Sequence, residues 1–192
     1  TIGVVGQNAT GLLVNGDVGG ALVIQNSIAT TGYRYPSAPS NTSALDSDDL
    51  LQGGSAVVVA GNVAGGILLD VRPAENSTTD TDEDDDGVPD AQETNAILLS
   101  VGAAPALKIG SSIQDLTIGA VASSADGHGL VVKGSVTGRG VYAGISATGI
   151  DIGGTAHTVT TGNGMTVAGT VRAVAVDANA TAVHIRAGAS VP

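Results

Sequence analysis

One short phrase recurs along this chain and limits what it can fold into: apolar, any, apolar, any, Gly or Ser, any, apolar. Its copies are Leu12-Leu13-Val14-Asn15-Gly16-Asp17-Val18, Val57-Val58-Val59-Ala60-Gly61-Asn62-Val63 and Leu107-Lys108-Ile109-Gly110-Ser111-Ser112-Ile113. Leu130-Val131-Val132-Lys133-Gly134-Ser135-Val136 and Met165-Thr166-Val167-Ala168-Gly169-Thr170-Val171 follow, with a looser copy at Val183-His184-Ile185-Arg186-Ala187-Gly188. Alternation with period two marks a short strand with one buried face, and the small residue allows a bend before the next apolar position. A second short strand is expected after each copy, at Leu22 to Ile24, Ile67 to Leu69, Leu116 to Ile118, Val141 to Ala143 and Val174 to Val176. A further phrase, Ala147-Thr148-Gly149-Ile150-Asp151-Ile152, has counterparts beginning at Ala9 and at Ala180 and supplies additional sides or rungs.

Strands this short cannot bury a face alone and must stack on their neighbours. The expected fold is therefore all-β, a parallel β-solenoid (right-handed β-helix) with two corner insertions. At roughly 20 residues per coil the chain outside its insertions makes about seven coils, a rod on the order of 35 Å long. Composition agrees. The 42% hydrophobic content comes from Val, Ile, Leu and Ala, with no Phe or Trp and 29 glycines. Small branched side chains suit a thin regular β structure, whereas a β-sandwich calls for longer hairpin-linked strands and aromatics in its core.

Two polar inserts interrupt the rhythm, residues 27–54 and 72–95. Each follows a second strand (Ile24, Leu69), so both are expected to leave the same edge one coil apart and to sit side by side. The first carries Tyr33, Arg34, Tyr35, Pro36 and Pro39 and an acidic cluster, Asp46, Asp48 and Asp49, left open as a second metal site. The net charge of −11 is concentrated in the other: nine acidic residues lie between Glu75 and Glu93 with no Lys or Arg among them. Elsewhere the chain is close to neutral, and its scattered basic residues form no stripe, which argues against nucleic acid or an anionic membrane as partner. Ser55 to Leu69 is too short and too Gly-rich for a membrane span. The chain has no cysteine, so a disulfide framework is excluded. It opens without an initiator Met or a leader, as a mature product or an excised fragment does.

Asp82-Glu83-Asp84-Asp85-Asp86-Gly87-Val88-Pro89-Asp90-Ala91-Gln92-Glu93 matches a twelve-residue calcium loop at every diagnostic position. Asp82, Asp84 and Asp86 supply the first, third and fifth ligands. Gly87 makes the sharp turn, Val88 offers its carbonyl, Asp90 acts directly or through water, and Glu93 closes the site with both oxygens. Pro89 and the lack of amphipathic flanks depart from a helix-loop-helix hand. The loop instead resembles the stand-alone Asp-x-Asp-x-Asp-Gly repeats of thrombospondin type 3 and related bacterial extracellular proteins. That resemblance implies a Ca²⁺ that orders the insert, with affinity suited to extracellular calcium. His128 beside Asp126, His157 and His184 form no triad, and Lys108, Lys133, Arg172, Asp115 and Asp151 are too scattered to nominate as catalytic.

The Ala-Thr-Gly phrases, the Gly bends, the missing cysteine and the scarcity of aromatics resemble the β-helical passengers of bacterial autotransporter-type surface proteins. The resemblance implies export, a cell-surface or secreted location and a structural or adhesive role as a fibre segment or filament subunit, with self-association through open solenoid ends. It carries no catalytic motif, and no enzyme is expected. The alternatives are a calcium-dependent glycan- or cell-binding module using Tyr33, Arg34 and Tyr35 and, further off, a β-helix polysaccharide lyase or hydrolase.

Overall fold

The computed structural model describes residues 1–32, 37, 39–85 and 87–192. The chain passes through short strands in five successive circuits. The first contains β1 (Ile2–Val5), β2 (Leu12–Val14), the bridge residue Val18 and β3 (Leu22–Ile24). The second contains β4 (Ser27–Thr31), β5 (Val57–Val59), the bridge residue Val63 and β6 (Ile67–Leu69). β7 (Ile97–Val101), β8 (Leu107–Ile109), β9 (Leu116–Ile118) and β10 (Leu130–Val132) make the third. β11 (Ser135–Ala143), β12 (Ala147–Ile152), β13 (Val159–Thr161) and β14 (Met165–Val167) make the fourth. The last holds β15 (Thr170–Val176), β16 (Ala180–Ile185) and β17 (Ala189–Ser190).

Corresponding strands stack into four sheets, visited in the same order in each circuit. Side one is β1-β4-β7-β11-β15, side two β2-β5-β8-β12-β16, side three β9-β13-β17 and side four β3-β6-β10-β14. Val18, Val63 and Ile118 extend side three through isolated parallel bridges. Every pairing between named strands is parallel and joins a strand to its counterpart one circuit away. Parallel neighbours cannot be joined by a hairpin, so the chain must travel round the other sides between them. Among the described residues there is no α-helix, and this nearly all-β stack of parallel sheets is consistent with a β-solenoid.

The core is a set of in-register columns. On side two Leu12, Val57, Leu107, Ile150 and Val183 lie opposite one another in turn. On side four the column is Leu22, Ile67, Leu130 and Met165. Their middle members are fully buried and the end members only partly so, because a neighbouring rung covers the ends from one direction alone. Burying a Leu or Ile side chain stabilises by roughly 1.5–3 kcal/mol. Stacking similar aliphatic residues in register repeats that gain at every rung. The corner glycines are where circuits approach most closely: a Cβ on Gly61 would strike the carbonyl of Gly16, and one on Gly169 would strike the carbonyl of Gly134.

Two expectations about spacing are corrected. The recurring phrase serves two sides, not one: Leu12–Val14, Val57–Val59 and Leu107–Ile109 lie on side two, whereas Leu130–Val132 and Met165–Val167 lie on side four. Alternation and a small residue at the bend look the same on either side. Two copies, Leu107–Ile109 and Leu130–Val132, are therefore two sides of one circuit, and a circuit is longer than the roughly 20 residues expected. Val136 lies opposite Leu98, 38 residues back, and opposite Val171, 35 residues on. Five rungs replace about seven, and the stack is about 20 Å long, not 35 Å, at the usual strand separation. Val141 to Ala143 and Val174 to Val176, expected as separate strands, are the ends of β11 and β15.

The inserts also differ from expectation. Ser27–Thr31, assigned to the insert 27–54, is strand β4 of side one, paired with β1 and β7. The excursion therefore follows β4 and leaves at the corner between sides one and two. Insert 72–95 follows β6 and leaves between sides four and one. The two exits are thus at opposite ends of side one and not at the same edge as expected. Tyr33, Arg34, Tyr35 and Pro36 lie outside the described residues.

Candidate metal centre

The second insert is closed at its neck before its acidic residues begin. The backbone N–H of Arg72 donates to Asn95 Oδ1 at 3.0 Å, and that of Ala96 donates to the carbonyl of Asp70 at 2.8 Å. Lys133 Nζ meets Asp70 Oδ1 at 2.8 Å, tying the neck to the next circuit. Charge within the loop is thus held on a fixed base.

Inside the insert, carboxylates hold the backbone and the backbone turns accordingly. Gly87, with φ +88°, donates its N–H to Asp82 Oδ2 at 2.9 Å. That backbone region strains any residue with a Cβ, and it is what the sixth place of the loop demands. The N–H of Asp90 donates to the Thr81 carbonyl at 2.9 Å, and Asp90 opens a 3₁₀ turn, Asp90–Gln92, that ends at Glu93. That bond brings Asp90 back beside Thr81, at the start of the loop. Asp90 is fully buried and Glu93 is 6% exposed.

One carboxylate oxygen from each of Asp82, Asp84 and Asp90 falls within 4.8 Å of the others. A second group, Glu75, Glu83 and Asp90, meets the same limit. These are the three-carboxylate clusters among the described residues, and each can hold a metal ion. Asp90 Oδ1 accepts from the Glu83 N–H at 3.3 Å, while Asp90 Oδ2 is buried without a hydrogen-bond partner in the protein. A buried carboxylate oxygen left unsatisfied among like charges is costly. A cation removes that cost, so the residues present fit a metal.

Of the six expected ligands, the structure brings together Asp82, Asp84 and Asp90. Glu93 is buried at the end of the turn but stands outside both clusters, and Val88 is exposed on the loop. Asp86 lies outside the described residues. Sequence reasoning missed Glu75 and Glu83. Glu83 occupies a place where the loop pattern asks for nothing, and its Oε1 accepts from the N–H groups of Asn76 and Ser77 at 3.0 and 3.1 Å. The only sequence signal was general acidity, since the partners sit six and seven residues upstream. In the first insert, Asp48 is raised above the usual carboxylate range by a hydrogen bond with Asp46, then by the charges of Asp46 and Asp49. Among the described residues that trio does not gather as the other two clusters do.

The remaining titratable groups have local roles. His128 Nδ1 lies 3.0 Å from Ser124 Oγ in a turn, and its backbone N–H donates to the same hydroxyl. Asp151, 5% exposed, receives Arg186 Nε at 2.6 Å and has His184 Nδ1 at 3.6 Å. Asp115 is held below its usual value, first by the Thr158 N–H. Asp17 is held low chiefly by the Asn62 N–H one circuit on. Among the described residues no helix is long and apolar enough to cross a membrane. Comparison with known proteins gives no match: no family model, no curated protein and no solved structure.

Proposed function

We propose that the chain is an exported, cell-surface β-solenoid of right-handed sense with a structural or adhesive role, not an enzyme, and that its second insert binds calcium as a structural ion. The observation that carries this reading is the placement of the carboxylates around buried Asp90, on an insert with a closed neck beside a regular stack of rungs. Donors that are all carboxylate oxygens favour a hard divalent cation, and a loop of irregular geometry suits calcium better than magnesium, which wants strict octahedral order. The dissociation constant is expected on the order of 10⁻⁴ to 10⁻³ M. Binding at that strength fits an extracellular setting.

The partner in this reading is another copy or further rungs. Among the described residues, strands β1 to β3 at one end of the stack and β14 to β17 at the other are each paired along one edge only, which supports end-to-end association. Titration calorimetry of the wild type beside Asp84→Ala tests the ion: calcium heat in the first and at least a tenfold weaker response in the second is expected. Equal heats would remove the site. Electron microscopy of the chain tests the scaffold, with end-to-end filaments of stacked copies expected and single compact particles at all concentrations counting against it.

A further inference from the structure

The two carboxylate clusters share one residue, the buried Asp90. We infer that the insert holds two divalent cations that share Asp90, one against Asp82 and Asp84 and the other against Glu75 and Glu83. This rests on the calcium reading of the loop and extends it to a second site whose other ligands lie outside the twelve-residue motif.

A single ion leaves two buried carboxylate oxygens, Glu83 Oε2 and Asp90 Oδ2, to share it. Glu83 is fixed by two backbone N–H groups on Oε1, which leaves Oε2 directed away from them, buried and without a hydrogen-bond partner in the protein. Asp90 Oδ2 is in the same condition, and Asp90 itself is fully buried. The Glu83 and Asp90 carboxylates come within 4.8 Å of each other and of Glu75, while the Asp90 carboxylate also comes within 4.8 Å of Asp82 and Asp84. An ion between Asp82, Asp84 and Asp90 leaves the Glu75 and Glu83 charges facing each other. A second ion on their side of Asp90 satisfies both. Bridging carboxylates commonly hold two divalent ions about 3.5–4 Å apart.

Charge counting points the same way. The clustered carboxylates of Glu75, Asp82, Glu83, Asp84 and Asp90 bring five negative charges together in this one insert. One divalent ion offsets two of them and a second offsets two more, with no Lys or Arg between Glu75 and Glu93 to do so instead. Calcium is the expected occupant of both sites, since every proposed side-chain donor is a carboxylate.

Equilibrium dialysis of the full chain against calcium, with bound metal counted by elemental analysis, tests this. The wild type should bind two ions per chain at saturation. Glu75→Gln, which alters an exposed residue outside the loop motif, should bind one, with an unchanged circular dichroism spectrum. Glu83→Gln should behave as Glu75→Gln does. A wild-type stoichiometry of one, or two ions retained in both variants, overturns the shared site while leaving the loop ion standing. No bound calcium in the wild type overturns the loop reading and the second site together.

Discussion

Gly87 shows how much of the centre depends on single residues. Its φ of +88° lies where a side chain is strained, yet nothing stands within 4 Å of a Cβ built there. Gly87→Ala therefore tests backbone conformation without a steric clash. At about 1–2 kcal/mol for the left-handed conformation, calcium affinity should fall roughly 5- to 30-fold while the rungs stay folded, measurable by calcium titration. At this scale the sequence was partly legible. Asp82, Asp84 and Asp90 come together because their spacing and the glycine turn dictate it. Glu75 and Glu83 were not legible, because their approach depends on a backbone fold at Asn76 and Ser77 that no spacing rule encodes.

Strands are where local pattern and global position part company. The short alternating segments were readable as strands, since period two is a property of neighbouring residues. Which side each strand joins was not, because a Gly bend is the same at every corner; a coil of roughly 20 residues is the expectation, where the circuit takes 35 to 38. The columns themselves give a firm prediction. Leu107 is fully buried between Val57 and Ile150. Leu107→Ala should cost about 2–5 kcal/mol, whereas Lys108→Ala, on the outward position next to it, should stay within about 0.5 kcal/mol. Urea denaturation of both variants separates them. Near-equal losses would contradict the inward column.

The element scale also sets the acid response. Asp17 and Asp115 both accept backbone N–H groups from the following circuit, Asn62 and Thr158 respectively, and both have depressed pKa values. A depressed carboxyl contributes stability above its unfolded value, and the contribution is lost as pH falls through the folded value. The reference value is 3.8 for each, so the loss belongs at and below about pH 4. Asp48 runs the other way, since its raised pKa means that acid relieves its repulsion with Asp46 and Asp49. The urea midpoint of Asp115→Ala should accordingly fall less between pH 5 and pH 3 than that of the wild type. A parallel fall would sink the assignment.

For the whole molecule, the stack and the insert are separable. Five circuits hold together through in-register columns and parallel ladders that contain none of the five clustered carboxylates, so calcium removal should not unfold them. Among the described residues the insert has no hydrophobic column of its own; its neck bonds hold it and, in the proposed reading, the ions order it. Hydrogen exchange of the full chain with and without calcium tests this division most directly. The account predicts slow exchange in β5 to β12 under both conditions, with protection gained on calcium addition only between residues 75 and 93. Protection spreading through all the rungs, or none gained in the insert, would contradict it.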